Sequence, residues 1–320
     1  MTNRLELNWQ LDGFVDEQRY YCSETPIDLE DLPTPKTILA GDVRTYTDTA
    51  IESDKTYSIA FGAVKNGVEK LSTVVSISTA GLSQALKDLF AANEKGMAYN
   101  FQDISTLWQD IAGTIPVTDV DQLVARVDDL SGNGNHIIQT DVSKRPQLKQ
   151  DAEGFYPWFD GTKSMYSASA VDFNDLLNFT TLCRLTKEGG STGCILESST
   201  NMNNNTASFA MFQEANNISF TNSGSGYNSA QVALDNDSLF VGIMKVLENP
   251  KITMMRVNGI EKTRTGILNQ STWGLLNHNI YVGARGGTSL FLTSKVRAIA
   301  FVGRELTSSE ILNIESLLMP

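Results

Sequence analysis

The segment from Asp129 to Gly134 (Asp-Leu-Ser-Gly-Asn-Gly) places side-chain oxygens at alternate positions and ends in glycine, which is part of the pattern of a calcium-binding loop. A complete loop of that kind needs a bidentate Glu at its twelfth position, where Thr140 stands. The alternative is a tight structural turn whose glycines take positive φ. We expect the turn, and no metal or other cofactor. If a metal binds, its candidate ligands are Asp129, Ser131 and Asn133.

A second segment, Gly189–Gly193, matches the Gly-x-Ser-x-Gly pattern of a nucleophilic serine. That pattern is catalytic only on a strand–turn–helix corner with a histidine base nearby. Here it separates two β-like runs, and the chain has only two histidines, His136 and His278, which both read as turn or loop residues. We therefore expect a simple turn.

Glycoside hydrolysis on a β-sandwich would need paired carboxylates, commonly as Glu-x-Asp-x-Glu on one strand. No such run occurs, and the nearest match, Glu52-Ser-Asp54, continues to Thr56. Two carboxylates distant in sequence could still meet in space. The sequence nevertheless predicts a protein that is not an enzyme.

Sugar binding requires aromatic faces beside amide side chains. Tyr227 with Asn222 and Asn228 supplies these residue types in one polar loop, and Trp273 near two further amides supplies them in another. The alternative at each place is a solvated loop whose aromatic side chain packs into the core. These four residues are the candidate ligand-binding residues.

The charge balance excludes two classes of partner. The chain has 25 Lys and Arg against 37 Asp and Glu, for a net charge of −12, and its basic residues do not cluster. Such a field repels nucleic-acid phosphates. No apolar run approaches the length of a membrane span, and the first residues lack the apolar core of a signal peptide. We expect a protein made in the cytoplasm that binds neither nucleic acid nor membrane.

Three cysteines are too few for a disulfide framework. If a hairpin turn is centred between Glu188 and Gly189, Cys183 and Cys194 lie directly opposite each other. We expect a reduced, buried pair.

Short alternating runs predict that most of the chain is β-structure. Residues 1–79 fit a small antiparallel sandwich, in which Tyr57, Ile59 and Phe61 share one face and Asn66-Gly67 forms a hairpin turn. A helix from Leu82 to about Asn93, with Ser83 as N-cap and Gly96 as its stop, would make residues 80–97 a connector.

The remainder, 98–320, alternates short strands with polar loops, which is typical of a two-sheet jelly roll. Its last element carries a capping box, Thr307 with Glu310, which predicts a C-terminal helix. The predicted strands are Trp158-Phe159, Thr180–Leu185, Cys194–Glu197, Ser208–Gln213, Asn217–Thr221, Leu239–Val246, Ile252–Val257, Asn279–Gly283 and Lys295–Val302.

Several motifs add a family resemblance. The run Asp129–His136, then Phe159-Asp-Gly161, and finally Lys295–Phe301 and Arg304–Ile311, resembles tailed-bacteriophage structural proteins with a laminin-G-like, concanavalin A-like jelly roll. The resemblance covers roughly 89–319 and implies that fold for the larger region. It does not select a function, because this sandwich hosts binders, enzymes and structural parts alike.

The N-terminal region is similar to a fibronectin type III module through Trp9, the run Tyr57–Phe61 and the Asn66-Gly67 hairpin. Only eight residues precede Trp9, so the first strand of that family is absent or supplied by another segment. An unpaired edge invites strand addition. We expect a neighbouring virion protein to dock at Leu5–Trp9.

Together the resemblances imply an all-β, non-enzymatic virion protein of a tailed phage, in the tail fibre, tail tip or head decoration. The N-terminal module would anchor to other virion proteins, and the jelly roll would face outward and contact host-surface carbohydrate. We expect many copies on the particle or a homo-oligomer. The alternatives are a free carbohydrate-binding module and a glycan hydrolase or depolymerase.

Overall fold

The computed structural model consists mainly of β-strands, so the predicted all-β class is confirmed. It describes residues 5–52, 55–78, 81–199, 208–223, 228–245, 252–263 and 274–319. The chain divides into two units, Met1–Gln84 and Ala85–Pro320. The division falls inside the segment 80–97 that we expected to connect the two sandwiches.

The smaller unit is a sandwich of two antiparallel sheets. Among the described residues, one sheet has the order β3-β2-β5-β6, with β7 also paired to β5, and the other contains β1 and β4. Tyr20, Ile51, Tyr57 and Ile59 are buried between them. The strands are β1 (Leu5–Asn8), β2 (Glu17–Ser23), β3 (Thr37–Ala40), β4 (Thr45–Asp48), β5 (Thr56–Lys65), β6 (Val68–Leu71) and β7 (Val75–Ser78).

The hairpin between β5 and β6 is confirmed. Lys65 pairs with Val68, and the two turn residues, Asn66 and Gly67, have φ of 51° and 78°. Positive φ at both central positions is what this two-residue turn requires. The Asn-Gly pair therefore fixes the register of the β6 edge.

The segment expected to form a free edge, Leu5–Trp9, is paired along one side. β1 runs antiparallel to β4 from Leu5 opposite Asp48 to Asn8 opposite Thr45. Trp9 follows the strand, stacks against Phe61 with ring centroids 4.3 Å apart and donates its indole N–H to Gln18 at 2.7 Å. Among the described residues, β4 is the only strand that pairs with β1.

The helix at the boundary is shorter than predicted. α1 spans Leu82–Asp88, so Ser83 lies inside the helix and is not its N-cap. After the helix, the chain turns, and two backbone hydrogen bonds hold the turn. The Phe90 N–H donates to the Lys87 carbonyl and the Asn93 N–H donates to the Phe90 carbonyl. Asn93, with φ of 60°, takes the left-handed conformation that we assigned to a glycine stop, and Gly96 instead begins a strand.

The larger unit stacks two antiparallel sheets as a jelly-roll sandwich closed by a C-terminal helix, α2 (Ser308–Leu318). Its strands are β8 (Gly96–Asn100), β9 (Leu107–Trp108), β10 (Arg126–Val127), β11 (Ile137–Ile138), β12 (Gln147–Asp151), β13 (Gly154–Asp160), β14 (Met165–Ser167), β15 (Asn178–Lys187), β16 (Gly193–Ser198), β17 (Ser208–Gln213), β18 (Asn217–Ser223), β19 (Asn228–Ala233), β20 (Asp237–Lys245), β21 (Ile252–Val257), β22 (Ile260–Glu261), β23 (Ile280–Val282) and β24 (Thr293–Val302).

Over the described ranges, one sheet has the order β19-β18-β17-β16-β23-β14-β11-β10-β9, and we call it the front sheet. The back sheet has the order β12-β13-β24-β15-β20-β21-β22, with β8 also paired to β24. All nine predicted strands are present, some of them longer than expected, although the strand predicted at Asn279–Gly283 is reduced to Ile280–Val282. Val246, the predicted end of another strand, lies outside the described residues.

A stack of phenylalanines fills the space between the sheets. Phe301 of β24 lies 4.4 Å from Phe179 of β15 and 5.0 Å from Phe209 of β17, measured between ring centroids, and all three are fully buried. Each such ring buries a large apolar area, and close aromatic contacts add about 0.5–1.5 kcal/mol per pair. The stack ties the centre of the back sheet to the front sheet.

The predicted pairing of the cysteines is wrong. Cys183 lies on β15, which pairs with β20 and β24 in the back sheet, whereas Cys194 lies on β16 in the front sheet. The segment between these strands crosses from one sheet to the other instead of forming a hairpin. Both thiols are free and fully buried, and burial raises the pKa of each well above its ordinary value.

The C-terminal helix begins with the predicted capping box. Thr307 Oγ1 accepts from the Glu310 N–H at 3.3 Å, and the Glu310 carboxylate accepts from the Thr307 N–H at 2.7 Å. The Arg304 guanidinium donates to the same carboxylate at 2.7 Å and, together with the Thr307 donors, lowers the pKa of Glu310 to about 2. At the other end, Arg256 holds the buried Glu315 through two bonds of 2.8 Å.

We expect Glu310→Gln to lower the free energy of unfolding by about 1–3 kcal/mol at neutral pH, because it removes the charge paired with Arg304. Since the native pKa is depressed from 4.5 to about 2, this stabilisation is complete above the unfolded pKa and is lost as pH falls toward 2. Urea unfolding of both proteins across this range measures the difference. A gap between wild type and variant that stays constant on acidification contradicts the assignment.

Candidate functional site

The outer surface of the front sheet carries a row of cross-strand partners. Two of their neighbours along the strands, Met165 and Val282, are fully buried in the core. Because successive side chains of a strand point to opposite faces of the sheet, the row lies on the outer face. The row consists of Trp108, Arg126, Ile138, Tyr166 and Tyr281, on β9, β10, β11, β14 and β23 in that order. The next partner, Glu197 of β16, is covered and fully buried.

Two tyrosines of this row form one side of a pocket of about 350 Å³. The rings of Tyr166 and Tyr281 have centroids 6.4 Å apart and planes inclined by 36°. The Tyr166 hydroxyl shares a 2.8 Å hydrogen bond with Thr140. Burial raises the pKa of the Tyr281 hydroxyl, with further contributions from Glu197 and Tyr166, so this hydroxyl stays protonated at neutral pH.

Polar groups from two loops and one strand end converge on the same pocket. Asn279 donates its side-chain amide to the Ser167 carbonyl at 3.0 Å, which fixes its orientation at the start of β23. Asp141 accepts from the N–H and the hydroxyl of Ser143, and these bonds, together with Lys144, lower the pKa of its carboxyl group. Asp141 is therefore an anionic acceptor at neutral pH.

The opposite wall consists of two glycines with positive φ, Gly286 at 56° and Gly287 at 68°. The fully buried Glu197 accepts from the Gly286 N–H at 2.6 Å, and the Lys144 ammonium donates to the Gly287 carbonyl at 3.3 Å. A buried carboxylate that accepts a backbone N–H holds that segment firmly, because leaving either group unpaired is costly. Glu197 thus positions the wall without lining the pocket.

This arrangement has the features of a small polar ligand site. Aromatic rings present flat apolar faces, while amide, hydroxyl and carboxylate groups offer directional donors and acceptors. Among the described residues that line the pocket, Asp141 is the sole carboxylate. Glycoside hydrolysis normally uses two, so the lining supports binding and supplies no acid–nucleophile pair.

The structure places the predicted calcium-loop residues in a turn held by internal hydrogen bonds. The Asp129 carboxylate accepts from the N–H of Ala98, from the N–H and hydroxyl of Ser131 and from the N–H of Asn135, at 2.6–3.0 Å. Its oxygens thus face donors. In the described part of the chain, no group of three His, Cys, Asp or Glu residues could hold a metal ion.

The turn clamps the first strand of the larger unit. Asn133 and Asn135 donate their side-chain amides to the Gly96 carbonyl at 3.1 and 2.8 Å. Gly96 has φ of 137°, and a Cβ there would lie 2.0 Å from the Phe301 carbonyl oxygen. Gly132 and Gly134, with φ of 82° and 75°, take the positive φ that the turn interpretation requires.

The candidate sugar-binding residues are only partly described. Asn222 and Asn228 are directly paired across β18 and β19, so they lie on strands and not in the polar loop that we expected. Tyr227 and Trp273 lie outside the described residues.

The predicted catalytic patterns lie apart from the pocket. Gly189–Gly193 joins β15 to β16 and is followed by a strand, so it is not the strand–turn–helix corner of a nucleophilic serine. The His136 Nδ1 accepts from the Asp129 N–H at 3.1 Å within the clamping turn. The His278 carbonyl accepts from the Val171 N–H at 2.9 Å.

Sequence reasoning did not identify Tyr166, Tyr281, Asn279 or Asp141 as a site. A signal existed in the run Asn279–Val282, where polar and aromatic residues alternate with apolar ones and are therefore turned to one face. The partner strand β14 is only three residues long, and its pairing with β23 joins residues more than a hundred positions apart. The sequence carries no local signal for that contact.

Comparison with known proteins gives structural similarity only. No family model matches the chain, and no curated protein matches it. Similar solved structures include the botulinum neurotoxin serotype D binding domain, with TM-score 0.47 and 10% identity, and a structure titled for the dependence of botulinum neurotoxin type C entry on two ganglioside molecules, with TM-score 0.47 and 12% identity. Each match covers 71% of this chain and 52% of the other.

A third similar structure is the serotype D ligand-binding domain in complex with N-acetylneuraminic acid, with TM-score 0.45 and 12% identity over 71% of this chain. The chain spans about half the length of the neurotoxin domains that it matches.

The assignment of Asp129 to a structural turn leads to a test with calcium. We expect Asp129→Ala to lower the free energy of unfolding by about 3 kcal/mol, because it leaves the buried Ala98 N–H and its neighbours without an acceptor. Addition of millimolar CaCl2 to the wild type should leave its melting temperature unchanged. A rise in the melting temperature that is absent from Asp129→Ala would show a metal site after all.

Proposed function

We propose that the larger unit binds carbohydrate in the pocket formed by Tyr166, Tyr281, Asn279 and Asp141. The observation that carries this proposal is the tyrosine pair, which lines the pocket from adjacent strands beside an oriented amide and an ionised carboxylate. A pyranose ring packs its C–H face against such rings while its hydroxyls bond to the polar groups. The volume of about 350 Å³ suits one or two sugar residues.

Binding at one such site is weak. A dissociation constant of about 1 mM corresponds to roughly −4 kcal/mol. Many copies on one surface would raise the avidity by about 10²–10⁴-fold without any new contact. A glycan-binding module of this kind therefore works best when several copies are held together.

We expect Tyr281→Ala or Tyr166→Ala to abolish measurable glycan binding, because each removes one of the two ring faces. The measurement is binding of the intact protein to an array of bacterial and animal glycans. Trp158→Ala is the matched control, since it removes a half-exposed aromatic side chain from the back sheet, where it bonds to Glu188. Binding that survives both tyrosine variants would place the site elsewhere.

We further propose that the protein acts without turnover. Among the described lining residues a single carboxylate, Asp141, faces the pocket. Release of reducing ends from a bound polysaccharide, abolished by a single Asp or Glu substitution, would instead support the hydrolase alternative.

We also propose that the chain is a component of a tailed-phage particle, with the smaller unit as its attachment module. The support is the motif resemblance, the pairing of β1 on one side only among the described residues, and a groove of about 710 Å³ lined by residues 9–15 and by β5 and β6, where Phe14 is 88% exposed. Edge strands of this kind accept a further strand from a partner.

Mass spectrometry of purified particles from an infected host should detect the chain. In a separate hydrogen-exchange experiment on the isolated protein, the Leu5–Asn8 amides should exchange faster than those of the central strand β5. Absence of the chain from the particles contradicts the particle role. Full protection of the β1 amides in the isolated monomer contradicts docking at that edge.

A further inference from the structure

The charged groups of the tyrosine pocket balance one another. Asp141 and Lys144 are the charged side chains among its described lining residues. The Lys144 ammonium donates to the Gly287 carbonyl at 3.3 Å and so supports the pocket wall. One oxygen of Asp141 accepts both bonds from Ser143, and the described residues donate no hydrogen bond to the other.

Behind the pocket, a buried carboxylate and a nearby cation lie beside Tyr281. The buried Glu197 is the cross-strand partner of Tyr281 and contributes to the raised pKa of its hydroxyl. Arg285, the nearby cation, keeps its Nε 3.9 Å from the Glu197 carboxylate, where it compensates that charge. The pair leaves no net positive charge for a ligand.

Two other cations among the described residues donate to backbone carbonyls around the pocket. Lys163 donates to the Ser143 carbonyl at 2.9 Å and lies 3.5 Å from the Asp160 carboxylate. Arg145 donates to the carbonyls of Gln139 and Gln109. These bonds hold the two side chains in place without neutralising them, and neither side chain lines the pocket. Among the described lining residues, an acidic sugar therefore meets one cation, Lys144, whose charge Asp141 balances.

We infer that the pocket selects an uncharged sugar and disfavours residues that carry a carboxylate, such as sialic and uronic acids. This inference rests on the proposed carbohydrate-binding function and specifies its ligand class. A sugar hydroxyl pair donates to the open oxygen of Asp141 and accepts from the Tyr281 hydroxyl. The carboxylate of an acidic sugar would lose hydration in a lining where Asp141 offsets the attraction of Lys144.

The test is an array of matched oligosaccharides, each present as a neutral form and as a form extended by sialic or uronic acid. We expect the neutral member of a bound pair to bind about tenfold or more tightly, and its binding to be insensitive to salt. Equal or tighter binding of the acidic member overturns the inference and leaves the proposed function standing. Absence of binding to every glycan overturns the proposed function itself.

A pair of variants tests the role of Asp141. Asp141→Asn keeps the acceptor for Ser143 but removes the charge, so neutral glycans should bind several-fold more weakly and the discrimination against acidic ones should shrink. Asp103→Asn is the matched control, because Asp103 caps the short helical turn 104–106 through Ser105 in the same way, outside the pocket. Unchanged discrimination in Asp141→Asn contradicts the inference.

Discussion

Burial of one face of each front-sheet strand dictates what the opposite face presents. Met165 and Val282 are paired and fully buried, so the next pair along the same strands, Tyr166 and Tyr281, has to point away from the core. A shift of either strand by one residue would bury the tyrosine of that strand and expose its apolar neighbour. The apolar core therefore determines the geometry of the pocket, although it lies on the other side of the sheet.

Hydrogen bonds from polar side chains hold two backbone segments in addition to the strand pairing. The Asp129 turn holds the start of β8 through the Gly96 carbonyl, and the buried Glu197 holds the Gly286-Gly287 wall through a backbone N–H. In each case a carboxylate or an amide satisfies a backbone group that would otherwise be unpaired. The Gly286-Gly287 wall of the pocket is thus held by a buried side chain as well as by its own backbone.

The sequence predicted local structure better than contacts between distant segments. The Asn66-Gly67 hairpin, the Thr307–Glu310 capping box and the nine strands all follow from short-range patterns, and the structure contains each of them. The proposed Cys183–Cys194 hairpin failed because its turn was inferred from spacing alone, whereas each strand pairs with segments far away in sequence. The pocket was missed for the same reason, since β14 and β23 meet only in the folded chain.

The separation of the two cysteines between opposite sheets has a further consequence. Thiols that lie on different layers, each fully buried and with a raised pKa, neither link to each other nor react readily with an external oxidant. The larger unit consequently keeps one covalent structure in a reducing interior and in an oxidising medium. The fold of this unit therefore does not depend on a disulfide between these two residues.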